Sequence, residues 1–174
     1  MHPSSYKKME GFKNNYLNLK DSLDILDIGS YDASDNSFNY KKILNEKNWN
    51  YFGLDLKEGP NVDIVVEDPY DWKEIKDQTF DVVISGQAFE HIEFFWLTME
   101  QIDKVLKPGG LCCIIAPSKG PVHGNPVDCY RYKVRGIEAL AKYVNFNILE
   151  SSTDASEESY PWHDSILIAQ KPFK

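Results

Sequence analysis

Ile25-Leu26-Asp27-Ile28-Gly29-Ser30 decides how this chain is read: an apolar run that breaks directly into a glycine turn. A glycine there lets backbone approach a ligand closely, because no Cβ stands in the way. About twenty-five residues on, a second apolar stretch ends in Gly53-Leu54-Asp55. Open parallel sheets bind ligands beyond the carboxyl ends of their strands, and an acid at that point can accept both hydroxyls of a ribose. The two segments together point to a ribose-bearing cofactor.

Working outward, further short apolar runs bounded by Gly, Pro or Asp read as strands. They lie at Leu23 to Ile28, Tyr51 to Leu54, Val62 to Val66, Phe80 to Ile84 and Leu111 to Ala116. Phe95, Met99, Ile102 and Leu106 recur at helical spacing until Lys107-Pro108-Gly109-Gly110 stops the pattern. Val134, Ile137, Leu140, Ala141 and Val144 form a second helical stripe, and this alternation predicts a parallel α/β sheet. Phe146 to Ser151 and Ser165 to Ala169 are strand-like with only an acidic, Ser-rich loop between them, which predicts a terminal antiparallel hairpin. Tyr6, Met9, Phe12 and Tyr16 predict an ordered helix near the start, within residues 1–20.

The totals agree with one enzyme-sized domain over residues 1–174. At that length folding removes roughly 70% of the unfolded surface from water, and 42% apolar residues are enough to fill a core. A net charge of −8, spread along the chain, argues against nucleic-acid partners. No run approaches the roughly 18 apolar residues of a membrane span, and the polar start lacks a signal peptide's apolar block, so no membrane partner and a cytoplasmic location are expected. Cys112, Cys113 and Cys129 have no zinc-site spacing; adjacent Cys112 and Cys113 read as small core residues on opposite faces of one strand. The chain is expected to act as a monomer or homodimer.

A dinucleotide enzyme would want G-x-G-x-x-G so that a helix amino end meets the pyrophosphate, yet Tyr31 stands where the second glycine belongs and Ala33 where another is usual. S-adenosylmethionine has no phosphate and tolerates the bulkier turn. ILDIGSYDAS, YFGLDLKEGPNVDIVVEDP, FDVVISGQAFEHI and LKPGG, in that order and spacing, resemble the successive motifs of class I S-adenosylmethionine-dependent methyltransferases. MHPSSY, GLDLKEGPNVD and HGNPVDCYRY narrow the likeness to small type 11-like methyltransferases often associated with glycan clusters or secondary metabolism.

That resemblance implies a Rossmann-like three-layer sandwich around a mostly parallel seven-stranded sheet, with S-adenosyl-L-methionine as cofactor. It implies that Asp27, Gly29 and Ser30 face the methionine part, Asp55 holds the ribose and Leu56 packs on adenine. An acid after the third strand would bind the adenine amino group. Glu67 and Asp68 both fit, with Asp68, next to Pro69, preferred. The Ser85-Gly86-Gln87 turn would supply backbone contacts near the sulfonium. The bland readings are a turn-capping Asp27 and a solvated Asp68.

Loops that follow parallel strands gather on one edge, so His91, the Pro117 to Lys133 loop and the acidic loop before Ser165 should converge, with Tyr160, Trp162 and His163 beside them. Methyl transfer to oxygen profits from a base near neutrality, for which His91, His123 and His163 are candidates. His91, beside Glu90, also reads as helix-end packing. His123 opens HGNPVDCYRY, a shaped substrate loop in which Asp128 and Arg131 read equally as an ordering ion pair or as substrate contacts. Tyr130 and Trp162 would supply aromatic walls. His123, Asp128 and His163 were weighed as metal ligands, but their spacing is no recognised signature and no metal is expected. The first helix would lie over the pocket, where His2 or Tyr6 would approach the acceptor, though neither is taken as a site residue.

The function expected is methylation of a small-molecule or sugar acceptor, at oxygen because of the histidines. The alternative is a noncatalytic S-adenosylmethionine-binding partner or sensor domain. DNA-base methylation would want a proline-aromatic turn where Ser85-Gly86-Gln87-Ala88 stands, and a nicotinamide dehydrogenase would want the missing glycines.

Overall fold

The computed structural model describes residues 3–32, 39–124 and 127–174. Its elements are α1 (Pro3–Tyr16), β1 (Leu23–Ile28), α2 (Tyr40–Ile43), β2 (Trp49–Asp55), β3 (Ile64–Val65), β4 (Phe80–Gly86), α3 (Phe95–Val105), β5 (Leu106–Pro117), α4 (Val134–Tyr143), β6 (Asn147–Thr153) and β7 (Asp164–Gln170). Single 3₁₀ turns lie at Phe89–His91 and Glu157–Ser159.

The seven strands form one sheet in the order β3-β2-β1-β4-β5-β7-β6. Strands β3, β2, β1, β4 and β5 are parallel, and β7 runs antiparallel to both β5 and β6. This is the expected mostly parallel sheet with its antiparallel hairpin. Chain order reverses between β1 and β4, the topological switch point at which such sheets open a crevice.

Strand alternation builds two cores. Leu26 and Ile28 of β1 face a layer with Met99, Ile102 and Val105 of α3 and Ile137, Leu140 and Ala141 of α4. Ile25 faces the other way, onto Met9 and Phe12 of α1 and Tyr40 and Ile43 of α2. Cys112 and Cys113 divide between the same two cores, as a strand's period of two requires, and burial pushes the Cys112 thiol up to about 12.

Two local expectations are corrected. Leu106 to Gly110 does not separate helix from strand; it is already part of β5, whose pairing with β4 jumps from Phe80–Leu106 to Val82–Leu111. The surplus residues bulge outward, made possible by the left-handed φ of +79° at Gly109, and Lys107 closes the bulge onto Asp81 at 2.8 Å. Strand β3 is only two residues long; just before it the Asp63 N–H donates to the Gly53 carbonyl at 2.8 Å, but the Gly53 N–H donates back to the Asp63 carboxylate, also at 2.8 Å, and not to a backbone carbonyl. No described helix is long and apolar enough to cross a membrane.

Candidate functional site

The carboxyl ends of β1, β2 and β4 form one side of the site. Gly29 has φ of +75°, and a Cβ there would lie 2.5 Å from the Cβ of Ala88, so the β1 turn passes close to the chain leaving β4. Ser85 Oγ donates to the Ile28 carbonyl at 3.0 Å and fixes the two strand ends together. Asp55 accepts the Tyr31 N–H at 3.0 Å on one oxygen and the Leu56 N–H at 2.7 Å on the other. Each oxygen keeps a lone pair, the arrangement a ribose diol needs. Leu56 beside it is 56% exposed, an apolar platform at the strand end.

Asp27 is buried and turns toward Tyr51, whose hydroxyl donates to it. Burial pushes its carboxyl up to about 7, against that hydrogen bond, and the charge of Asp55 adds to the rise. Ser30 does not present its hydroxyl to the crevice. Its Oγ is buried where a side chain on Gly53 would stand, and its backbone N–H and carbonyl bond Leu54 and Asn61, so Ser30 holds the β1 turn against β2. Of the two acids weighed after β3, both are exposed; Asp68 caps the Tyr70 N–H at 2.8 Å, as a turn residue does, while Glu67 takes no such role. Gly86 lies against the Tyr40 ring. Gln87, with φ of +61°, donates to Asp164 at 3.0 Å.

Asp164 was not anticipated, although a lone acid opening the apolar strand SILIA was a visible signal. It is fully buried and also accepts Ser4 Oγ at 2.5 Å. Ser5 meets the Tyr40 hydroxyl at 2.6 Å. The first turn of α1 is therefore tied to the start of β7 and to α2. His2 and Ala33 lie outside the described residues, and Tyr6 is half-buried against the α1 core.

The second side is built by HGNPVDCYRY. Backbone N–H groups of Cys129 and Tyr130 donate to the Glu90 carbonyl at 2.7 and 3.2 Å, zipping the loop to the 3₁₀ turn after β4. The Arg131 guanidinium then locks it: Nη1 donates to Asp128 and the Tyr130 carbonyl, Nη2 to Asp128 and the Pro121 carbonyl, all within 2.8 Å. Those four bonds use the four terminal hydrogens. Asp128 is thereby held well below the usual carboxylate range, chiefly by Arg131. The pair orders the loop. Tyr130 packs on Phe95 and Tyr132 and donates to the Glu93 carbonyl at 2.8 Å, so its ring anchors the loop too.

His123 Nδ1 lies 3.4 Å from Arg131 Nη2 and 3.3 Å from Asp128 Oδ2; shorter bonds take both Nη2 hydrogens, so the carboxylate is the partner left for it, and the same oxygen accepts the His123 backbone N–H at 2.7 Å. That assigns its proton to Nδ1 and its lone pair to Nε2. Burial holds His123 below its ordinary pKa, outweighing the nearby carboxylate. His91 Nδ1 lies 2.6 Å from the Val127 carbonyl, which likewise leaves Nε2 as acceptor. The His91 and His123 rings are 5.0 Å apart and Trp162 follows at 4.6 Å from His123. Trp162 itself lies against Gly120, where a Cβ would fall 2.3 Å from its ring. His163 stands apart, with Nδ1 at the Asp154 carbonyl and its ring on Tyr160.

A methyltransferase-domain family profile matches residues 24–114. No curated protein sequence matches the chain. Among solved structures, a S-adenosylmethionine-dependent methyltransferase from Methanosarcina mazei superposes with a TM-score of 0.70 at 14% identity, covering 92% of this chain and 97% of that one. The Burkholderia thailandensis 1,6-didemethyltoxoflavin-N1-methyltransferase, solved with its acceptor and S-adenosylhomocysteine, gives 0.73 at 16%, covering 97% and 79%. The cyclase SpnF gives 0.71 at 15%, covering 97% and 81%. Likeness at this level shows a common fold, and the cyclase shows that the fold alone does not fix the reaction.

Proposed function

This chain belongs to the methyltransferase-domain family and uses S-adenosylmethionine, and from that premise we propose that it methylates an oxygen of a small-molecule or sugar acceptor. The strand-end residues fit the cofactor: a carboxylate with two lone pairs at Asp55, an apolar platform at Leu56, and close-packed turns at Gly29 and Gly86. When bound, the cofactor supplies an electrophilic methyl group on its sulfonium.

One observation carries the acceptor reading. His91 and His123 lie side by side with both Nδ1 atoms facing protein acceptors, so two imidazole lone pairs are presented, one from the 3₁₀ turn after β4 and one from the loop tied to it. A hydroxyl between them is oriented by accepting nitrogens, and its proton has somewhere to go as its oxygen attacks the methyl carbon. Trp162 bounds the space with an aromatic wall suited to a sugar or ring. The net charge of −8 favours such an acceptor over nucleic acid.

Incubation with S-adenosylmethionine and a panel of hydroxylated, amino and carbon-acid acceptors tests this, with mass spectrometry locating the added methyl. Methylation confined to nitrogen or carbon acceptors overturns the oxygen assignment. Cofactor binding with no product from any acceptor favours a sensor or partner domain instead.

A further inference from the structure

We propose that Glu90, His91 and His123 form a binding site for a divalent transition cation of the zinc class, with an open coordination position turned toward the acceptor. The proposal departs from the sequence expectation of no metal, and its ligands differ from the His123, Asp128 and His163 set rejected there. His163 and Asp128 are not part of the cluster.

One carboxylate oxygen of Glu90 and one nitrogen from each histidine lie within 4.8 Å of one another. Glu90 Oε1 and His91 Nε2 are 3.7 Å apart. Ligands bonded at the zinc–nitrogen distance in a tetrahedral site stand about 3.4 Å from each other. The Glu90–His91 edge is therefore nearly at that spacing, and the remaining closure falls to His123, which sits on a loop rather than in the sheet.

The surroundings of the two imidazoles carry the argument further than proximity does. A metal-bound histidine characteristically gives its other N–H to a carbonyl or a carboxylate, which fixes the ring and raises the basicity of the ligating nitrogen. His91 has its carbonyl and His123 its carboxylate. His91 Nδ1 is hydrogen-bonded to the Val127 carbonyl at 2.6 Å, and Asp128 Oδ2 stands 3.3 Å from His123 Nδ1 in an ion-pair contact while accepting the His123 backbone N–H at 2.7 Å. Asp128 is in turn clamped by Arg131, so the support of His123 is itself supported.

Two imidazoles and one carboxylate suit zinc, cobalt or iron, whereas magnesium and calcium demand oxygen. Three protein ligands leave a fourth position open. A hydroxyl oxygen of the acceptor is the group such a position would take. That use of the position rests on the oxygen-acceptor reading above, with the cation taking over from the imidazole nitrogens as the group that activates the hydroxyl, because both lone pairs would then be spent on it; cation binding itself does not rest on that reading.

Titration of the intact, metal-stripped protein with Co²⁺ alone, followed by its visible absorption, tests the site. One equivalent is expected to bind, to be displaced by Zn²⁺ and not by Mg²⁺. H91N and H123N should weaken it at least about tenfold and D128N by about ten- to hundredfold, with H163N unchanged. Absence of a stoichiometric band, or binding indifferent to H91N and H123N, overturns the site. Should those variants fail to fold, as judged by circular dichroism, the unaltered protein decides. Zn²⁺ should shield His91 and His123, and not His163, from diethyl pyrocarbonate; equal modification of all three overturns the proposal. Oxygen methylation without cation binding removes the cation and keeps the acceptor reading. Cation binding with methylation only at nitrogen or carbon does the reverse.

Discussion

The two sides of the site are built by different means. On the cofactor side, Gly29, Asp55 and Ser85 take their positions from strand ends, fixed by backbone geometry and short hydrogen bonds between neighbouring strand ends. On the acceptor side, His91, His123, Arg131 and Trp162 come from distant segments, and side-chain hydrogen bonds hold them. One side is as firm as the sheet; the other is as firm as one ion pair. Substitutions should therefore separate the two.

Asp128→Ala has the largest expected effect. It strands the Arg131 guanidinium and removes the support of His123. The cost to stability is about 2 to 3 kcal/mol, below that of a fully buried pair because the Arg131 side chain keeps 20% exposure. Melting should fall by about 5 to 10 °C, and turnover by more than about a hundredfold as the acceptor is misplaced. Cofactor affinity by calorimetry should hold. A comparable loss of cofactor binding breaks the division between the two sides.

Asp55→Ala is the converse. Losing a charge-assisted pair of bonds to the ribose costs about ten- to hundredfold in cofactor affinity. Thermal stability without cofactor should barely move, because Asp55 is half-exposed and its protein partners are two loop N–H groups. Unchanged affinity removes Asp55 from the ribose site.

The unequal legibility of the two sides follows from the same difference. Strand β1, the Gly29 turn and the acid ending β2 are local patterns, visible wherever a buried strand meets a tight turn. So was the hairpin of β6 and β7, because no helical stripe separates them. The β5 bulge was not legible, since Lys107-Pro108-Gly109-Gly110 stops a helix whether or not a strand has already begun. Nor was the role of Arg131 legible. Its choice between substrate and Asp128 turned on four hydrogen atoms whose acceptors include the carbonyls of its neighbour Tyr130 and of the distant Pro121. The Ser4–Asp164–Gln87 chain joins three elements across most of the sequence, and no spacing rule reaches that far.

Asp27 sharpens the cofactor side by pH. Burial raises its carboxyl from the ordinary 3.8 to about 7. The folded chain thus holds a proton the unfolded chain has released between roughly pH 4 and 7, and stability declines as pH rises through that window. Cofactor binding runs the other way, because a cationic methionine moiety favours the carboxylate. Affinity should improve about tenfold from pH 6 to pH 8, with proton release measurable by calorimetry in buffers of different ionisation heat. Asp27→Asn should flatten both dependences. A pH slope that survives in that variant assigns the titration to another group.

Leu56→Ala is the smallest and cleanest probe. Leu56 is 56% exposed and outside both cores, so its truncation should alter folding by no more than about 0.5 kcal/mol. If adenine lies on it, the lost apolar contact costs about 1 kcal/mol of cofactor binding, roughly fivefold. S-adenosylhomocysteine should weaken equally, since both carry the same adenosine, while methylthioadenosine, lacking the amino acid part, should still register the loss. If Asp27 faces the methionine part and Leu56 the adenine, that nucleoside should be blind to Asp27→Asn and sensitive to Leu56→Ala. Equal sensitivity to both would mean that the residues do not divide the cofactor between them, and the order along the strand ends would have to be redrawn.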